Sequence, residues 1–179
     1  MKTHTDSDFD AVISDIETDG LEDEATVIHC ASITSLKTGA TIPYRPHEID
    51  AYLEQLSKAK VIINHNYIGF DGPVIERLHG FPLVIDNIFD TLVVGRALWP
   101  DRPQGHSLKS WGEFLGVLKG DFGETADWSV FSEEMMTYNM RDNRVTRHLC
   151  IYLLKKPGWD YAKFMEYMNG KGHILLHLS

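Results

Sequence analysis

The sequence predicts a mixed α/β sheet, an antiparallel meander followed by parallel strands, with helices packed on its faces. Three observations predict it. Three short apolar segments of strand character follow one another near the start, separated only by turns. After them, apolar runs of strand length alternate with segments of helical periodicity. The chain has 179 residues, 43% hydrophobic and 24% charged, enough for one domain with a proper core.

Each element has a local cause. Ala11 to Glu17 is a short apolar run with period-two character, a strand, and Val27 to Thr34 is a second. Lys37-Thr38-Gly39 is a turn into a third, Ala40 to Tyr44. Pro46 to Ala59 carries Ile49, Tyr52, Leu53 and Leu56 at helical spacing. Val61 to His65 is a buried strand, followed by a helix near Pro73 to His79. A further segment runs from Phe89 to about Trp99. Pro100 to Gly105, with two prolines and a glycine, is a loop. Ser107 to Leu115 places Leu108, Trp111, Phe114 and Leu115 on one helical stripe. Lys119 to Thr125 is a polar loop. Ser132 then N-caps a long helix to Leu154. The expected organisation is a flexible N-terminal tail over residues 1–10, one domain over 11–155, and a C-terminal helix and tail over 156–179. Trp159 to Met168 is aromatic at helical spacing, as a terminal helix or a docking face would be.

Composition narrows the function classes. No apolar run approaches the length that spans a bilayer, which argues against a membrane partner. Met1 to Asp10 is polar and acidic without the apolar core of a secretory signal. Cys30 and Cys150 lack metal-binding spacing, so a zinc site or disulfide framework is not expected and a cytoplasmic location is (the host cytoplasm for a viral protein). The net charge is −9, with 26 acidic against 17 basic side chains. Proteins that grip nucleic acid by charge neutralisation are usually basic. Two divalent cations would add about four positive charges where a phosphate sits, so acidity fits weak, metal-dependent nucleic-acid binding. Processive action would then need a partner.

Four carboxylates and a tyrosine carry the chemistry. Asp15 and Glu17 are two apart on a strand and so project from one face together with Ile13. Carboxylates in a buried apolar strand need a cation or donors. Asp71 follows a strand and precedes Pro73, where a helix N-cap is the ordinary alternative role. Asn64, His65 and Asn66 are a dense polar group at a strand end, suited to a ligand or to satisfying a loop. Tyr138 and Asp142 are four apart and share a helical face, with Asp142 expected off the apolar stripe of Met135, Leu149 and Tyr152. A solvated carboxylate beside Arg141 and Arg144 is the bland alternative. An acid set without thiolates suits hard divalent cations such as Mg²⁺ or Mn²⁺.

In combination these motifs resemble the 3′–5′ exonucleases with an Asp-Glu-Asp-Asp acid set on a ribonuclease-H-like fold. Asp15-Ile16-Glu17 is similar to the first motif of that family, Asn66 to Asp71 to the second, and Tyr138 to Asp142 to the third. Tyr138 stands four residues before the last acid, as in the tyrosine subfamily, and Thr137 stands where the other subfamily has histidine. Ile13-Ser14, Tyr44-Arg45-Pro46, Asp90-Thr91-Leu92-Val93, His106 to Gly112 and Glu133 to Asn139 extend the resemblance to the proofreading domains of phage family A DNA polymerases.

The resemblance implies hydrolysis of the 3′-terminal phosphodiester of single-stranded DNA with two metal ions, releasing nucleoside 5′-monophosphates. RNA is the alternative substrate, and a catalytically silent module docking a replication partner is the alternative class. Asp15 would bridge the ions, with Glu17 and Asp142 at the first and Asp71 at the second. Tyr138 would orient the attacking water, because a phenol near pKa 10 is a poor base at neutral pH. Leu21 and Phe70 would wedge or stack terminal bases, and His65 and Asn66 would contact substrate. Such polymerases continue into a much larger chain, so a stand-alone nuclease and the nuclease part of a split polymerase are both consistent, with a polymerase or other replication protein as partner.

Overall fold

The computed structural model describes residues 6–82, 87–117 and 127–171. The polar loop expected at Lys119 to Thr125, residues 1–5 and residues 172–179 lie outside that set.

Five strands form one sheet: β1 Ala11–Thr18, β2 Ile28–Ser35, β3 Thr41–Tyr44, β4 Val61–Asn64 and β5 Ile88–Asp90, in spatial order β3-β2-β1-β4-β5. The first three make the antiparallel meander, with Asp15 opposite Ser32 and Glu17 opposite Cys30. The connection through a helix then puts β4 parallel to β1, and β5 parallel to β4. Ala11, Ile13, Val61 and Ile63 face one side, Val12, Ile16 and Ile62 the other, as strand alternation requires.

Helices cover both faces. A 3₁₀ turn, Pro46–Glu48, leads into α1 Ile49–Ser57, whose Tyr52 and Leu56 join α2 Asp71–His79, through Val74 and Ile75, on the second face. The first face carries α3 Thr91–Leu98, α4 Leu108–Leu115, α5 Glu133–Lys155 and α6 Tyr161–Lys171. Ser132 caps α5 as expected, its side chain accepting from the Met135 amide at 3.0 Å. Within the expected tail, Asp6–Phe9 forms a 3₁₀ turn, and Phe9 is buried. The segment after residue 155 turns back at Gly158, and α6 inserts Phe164, Met165 and Met168 into the core shared with β1 and β4.

One expectation is overturned by this packing. Asp142 lies on the buried stripe of α5 and not off it, because Met135, Asp142 and Leu149 are spaced by sevens. Seven residues complete nearly two helical turns, so all three face the sheet. The helix α2 also begins earlier than Pro73, at Asp71, with Phe70 as its N-cap.

Phe164 packs edge-on against Phe89 with ring centroids 5.3 Å apart. Replacing it with alanine should cost about 3–5 kcal/mol, the usual range for a fully buried phenylalanine. Urea unfolding of Phe164→Ala would show the midpoint falling at unchanged slope if α6 is part of the cooperative core.

Candidate active site

The site follows from the topology. From β1 the chain moves outward through β2 and β3, then returns to β4 and moves outward the other way to β5. The boundary between β1 and β4 is therefore a topological switch point, and in open α/β sheets a crevice opens there at the carboxyl ends of the strands. Paired residues end at Ile13 and Ile63. Beyond them two side chains take over the pairing. Asn64 Nδ2 donates to the Ser14 carbonyl at 2.6 Å, and Asp71 Oδ1 accepts from the Ile16 amide at 3.2 Å. Asn64 Nδ2 also donates to Asp71 Oδ1 at 2.9 Å.

A cavity of about 660 Å³ occupies this crevice, and Asp15, Glu17, Asp71, Tyr138 and Asp142 all line it. Carboxylate oxygens of Asp15, Glu17 and Asp142 lie within 4.8 Å of one another. Glu17 and Asp142 are buried and Asp15 is half-buried. β1 supplies the pair from one face, and the buried stripe of α5 supplies Asp142 against it. Asn139, one turn before Asn143 on that stripe, donates to Asp15 Oδ2 at 2.9 Å. Asn143 ties the helix to β2 through the Ser32 carbonyl at 2.9 Å and the Ser32 hydroxyl at 2.7 Å. Three oxygen donors of like charge in so small a space could hold a hard divalent cation.

Asp71 stands apart from that trio. Its carboxyl is fully enclosed, and burial raises its pKa from the ordinary carboxylate value to about 7, against the lowering effect of Asn64 and the Ile16 amide. Tyr138 is half-buried, its ring edge-on to Trp128 at 6.1 Å. Cys30, the register partner of Glu17, has its thiol pushed far up by burial and then by Glu17, and both cysteines are buried and free.

His65, Asn66 and Phe70 line the same cavity, but the first two are also tied into the scaffold. His65 Nε2 lies 2.9 Å from the His106 carbonyl, which only accepts, so that nitrogen carries a proton. Its Nδ1 lies 2.9 Å from Thr91 Oγ1. Asn66 adopts a left-handed backbone, φ 82°, pinned where Asp90 Oδ1 accepts from its amide at 3.0 Å. Asp90 also accepts from the amides of Ile68, Leu92 and Val93, so one buried carboxylate holds the second motif and caps α3. Leu21 does not reach the acid cavity. It is 74% exposed and lines an adjoining groove of about 390 Å³ that shares Glu17, Phe70 and Trp128 with it.

Several lining residues had no sequence signal of their own: Trp128, held by His29 Nε2 donating to its carbonyl at 3.0 Å, together with Arg96 and His106. Asn139 and Asn143 did have one, the spacing by four on an otherwise apolar helical stripe.

Fold and site together define a ribonuclease-H-like domain with an acidic, cation-suited centre at the sheet's switch point. A sequence profile described as the RNase_H superfamily matches residues 12–123, and the chain belongs to this superfamily, as a nuclease of its exonuclease branch. It is 30% identical over 185 aligned residues to the DNA-directed DNA polymerase of Escherichia phage T7, covering 80% of this chain, and equally to that of Enterobacteria phage T3. The chain spans 26% of the length of those polymerases. Among solved structures it resembles Brucella melitensis NrnC with bound Mg²⁺, with a TM-score of 0.65 at 20% identity over 94% of this chain and 86% of the other. The catalytic core of Trypanosoma brucei RRP6 superposes with a TM-score of 0.65 at 19% identity over 97% and 45%.

The raised pKa of Asp71 has a signed consequence for stability. The folded protein binds this proton more tightly than the unfolded chain, so the contribution is fully present below about pH 4 and is lost as pH rises to about 7. In chelator, Asp71→Asn should therefore gain stability relative to the parent between pH 4 and pH 8, because the amide keeps the hydrogen bonds without the buried charge. Thermal melts across that range check this, and a difference independent of pH would refute it.

Proposed function

We propose that this domain is a 3′–5′ exonuclease acting on the end of single-stranded DNA and releasing nucleoside 5′-monophosphates. The observation that carries the reading is the convergence of Asp15, Glu17 and Asp142 within 4.8 Å, in one cavity with Asp71 and Tyr138. DNA is preferred over RNA because the relatives matched at 30% identity are DNA polymerases.

Asp15, Glu17 and Asp142 would hold one divalent cation, and Asp15 with Asp71 the second, Mg²⁺ or Mn²⁺. Such ions supply Lewis acidity, a lowered pKa for the attacking water and charge stabilisation at the leaving oxygen. The chain's own residues do the rest. Asn139 fixes the Asp15 carboxylate by donating to Oδ2. Tyr138, braced by Trp128, presents its hydroxyl to the attacking water and orients it without removing its proton. Phe70 and Trp128 wall both the cavity and the adjoining groove, so a terminal base would rest on them and Leu21 would part it from its neighbour. His65 shapes the cavity wall from its fixed position, and the left-handed turn at Asn66 offers a contact to sugar or phosphate.

A net charge of −9 leaves little long-range attraction for a strand, so a polymerase or another replication protein would present the end. No described helix is long and apolar enough to cross a membrane, and the domain would act in the cytoplasm.

An oligonucleotide labelled at its 5′ end should shorten stepwise with Mg²⁺ and release mononucleotides. Asp15→Ala should lower the rate on the order of a thousandfold, as loss of a metal contribution of several kcal/mol implies. Tyr138→Phe should slow turnover with little change in KM. Release of long fragments, full activity in Asp15→Ala, or hydrolysis of the matched RNA alone would each overturn the assignment.

A further inference from the structure

Apart from its acids, the wall of the catalytic cavity carries a single formally cationic side chain among the described residues, Arg96 in the last turn of α3. It is exposed, and it forms no ion pair with another described residue. The other basic groups with a stated charge partner, Lys37, Arg45, Lys58 and Lys60, are occupied elsewhere and line neither this cavity nor its adjoining groove. A guanidinium held over a cavity rich in carboxylates, with no carboxylate bound to it, is available for an anion that enters with the ligand.

Charge balance says which anion. Four carboxylates matched by two divalent cations leave the reaction centre near neutral before substrate arrives. The scissile phosphodiester brings one negative charge that those cations meet. Each further linkage of the strand would bring another, and among the described lining residues Arg96 is the one formal cation available to meet it. The first turn of α4 opens on the same wall: Ser107 and Leu108 line the cavity, and the Ser107 side chain is turned inward to cap Ser110 at 3.2 Å. A helix start there adds favourable potential for a phosphate. Leu92, on the same helix as Arg96 and one turn earlier, offers the apolar wall on which the adjoining sugar would lie.

We infer that Arg96 is a positioning residue that binds the backbone phosphate next upstream of the scissile linkage. This rests on the exonuclease reading above and sharpens it. The domain would recognise an end that carries at least two linkages, by one bidentate charge-assisted contact, with no information about base identity. It also predicts that arginine and lysine are not equivalent at position 96, because only the guanidinium can span two phosphate oxygens.

Two substrates separate the roles. Thymidine 5′-(p-nitrophenyl) phosphate holds one phosphodiester and nothing upstream, whereas a DNA decamer holds a full run. Arg96→Ala should raise KM for the decamer about tenfold, the effect of one charged hydrogen-bonded contact, with kcat within about twofold. It should leave the nitrophenyl ester unaffected, and Arg96→Lys should recover only part of the decamer loss. The salt dependence of log KM for the decamer should become shallower by about 0.7, the share of one phosphate on a single strand. A decamer carrying a neutral methylphosphonate at the linkage next to the scissile one should cost the parent enzyme the same tenfold and cost Arg96→Ala nothing more. The affinity of a labelled decamer for the Asp15→Ala protein, which binds without cutting, should fall by the same factor on Arg96→Ala. That last measurement stands whether or not the parent protein cleaves DNA, so failure of the exonuclease reading is seen separately. Equal losses on both substrates, an unchanged decamer KM, or full rescue by lysine would overturn the assignment.

Discussion

Everything in this molecule is arranged around a repulsion. Asp15, Glu17 and Asp142 hold oxygens within 4.8 Å of one another. At an effective dielectric near 20, each ionised pair at such a distance costs on the order of 3 kcal/mol. Side chains on a flexible loop would simply swing apart. Here they cannot, because two come from the central strand of the sheet and the third from the buried stripe of a 23-residue helix laid across it. The packing of α5 against β1, through Val145 and Leu149 on one side and Met135 on the other, opposes the separation of charge. Asn139 and Asn143 lock the helix in register by bonding to Asp15 and to Ser32. A divalent cation held by these three carboxylates would turn the repulsion into attraction.

The second consequence concerns the sheet itself. Opening a crevice between β1 and β4 leaves strand groups without their ladder partners, and buried orphans of that kind are costly. Asn64 and Asp71 answer for the Ser14 carbonyl and the Ile16 amide. The same two side chains line or adjoin the acid cavity, so completing the sheet and building the site are one task. Asp71 accordingly serves the fold as well as the cavity. Its carboxyl is committed to the fold on one oxygen and enclosed, and burial raises its pKa to about 7. Asp90 does the corresponding work for the loop, receiving four backbone amides from two segments.

Much of this was legible in the amino-acid order, and what was not has a common cause. Period-two alternation placed Asp15, Glu17 and Ile13 on one face, since a strand allows no other arrangement. The alternation of strand-like and helix-like segments gave the mixed sheet, and Ser132 announced the start of α5. Asp142 was misplaced because a polar residue inside an apolar heptad looks like an interruption, although its spacing from Met135 and Leu149 puts it on the buried face. Periodicity reports which residues share a face and says nothing of what that face meets. Trp128 and Arg96 enter the cavity from a turn and a helix end, where no period operates. Leu21 follows Glu17 closely in sequence, yet the chain turns away after Thr18, and it lands in the neighbouring groove.

The division of the binding surface into two connected hollows sets what the nuclease can recognise. Phe70 and Trp128 line both hollows and so form their shared aromatic wall. A flat aromatic partition contacts any base through its face, so it discriminates poorly between sequences. Under the proposed reading it would discriminate between paired and unpaired ends, because a base stacked against it would have left its partner. The acidic surroundings act in the same direction. With a net charge of −9 and, among the described residues, one formally cationic side chain on the cavity wall, a duplex would gain little from long-range attraction and would still bear the cost of fraying. Under the proposed reading, selectivity for a frayed or single-stranded end would therefore arise from weak attraction combined with sequence-blind stacking, and would need no group that reads the bases.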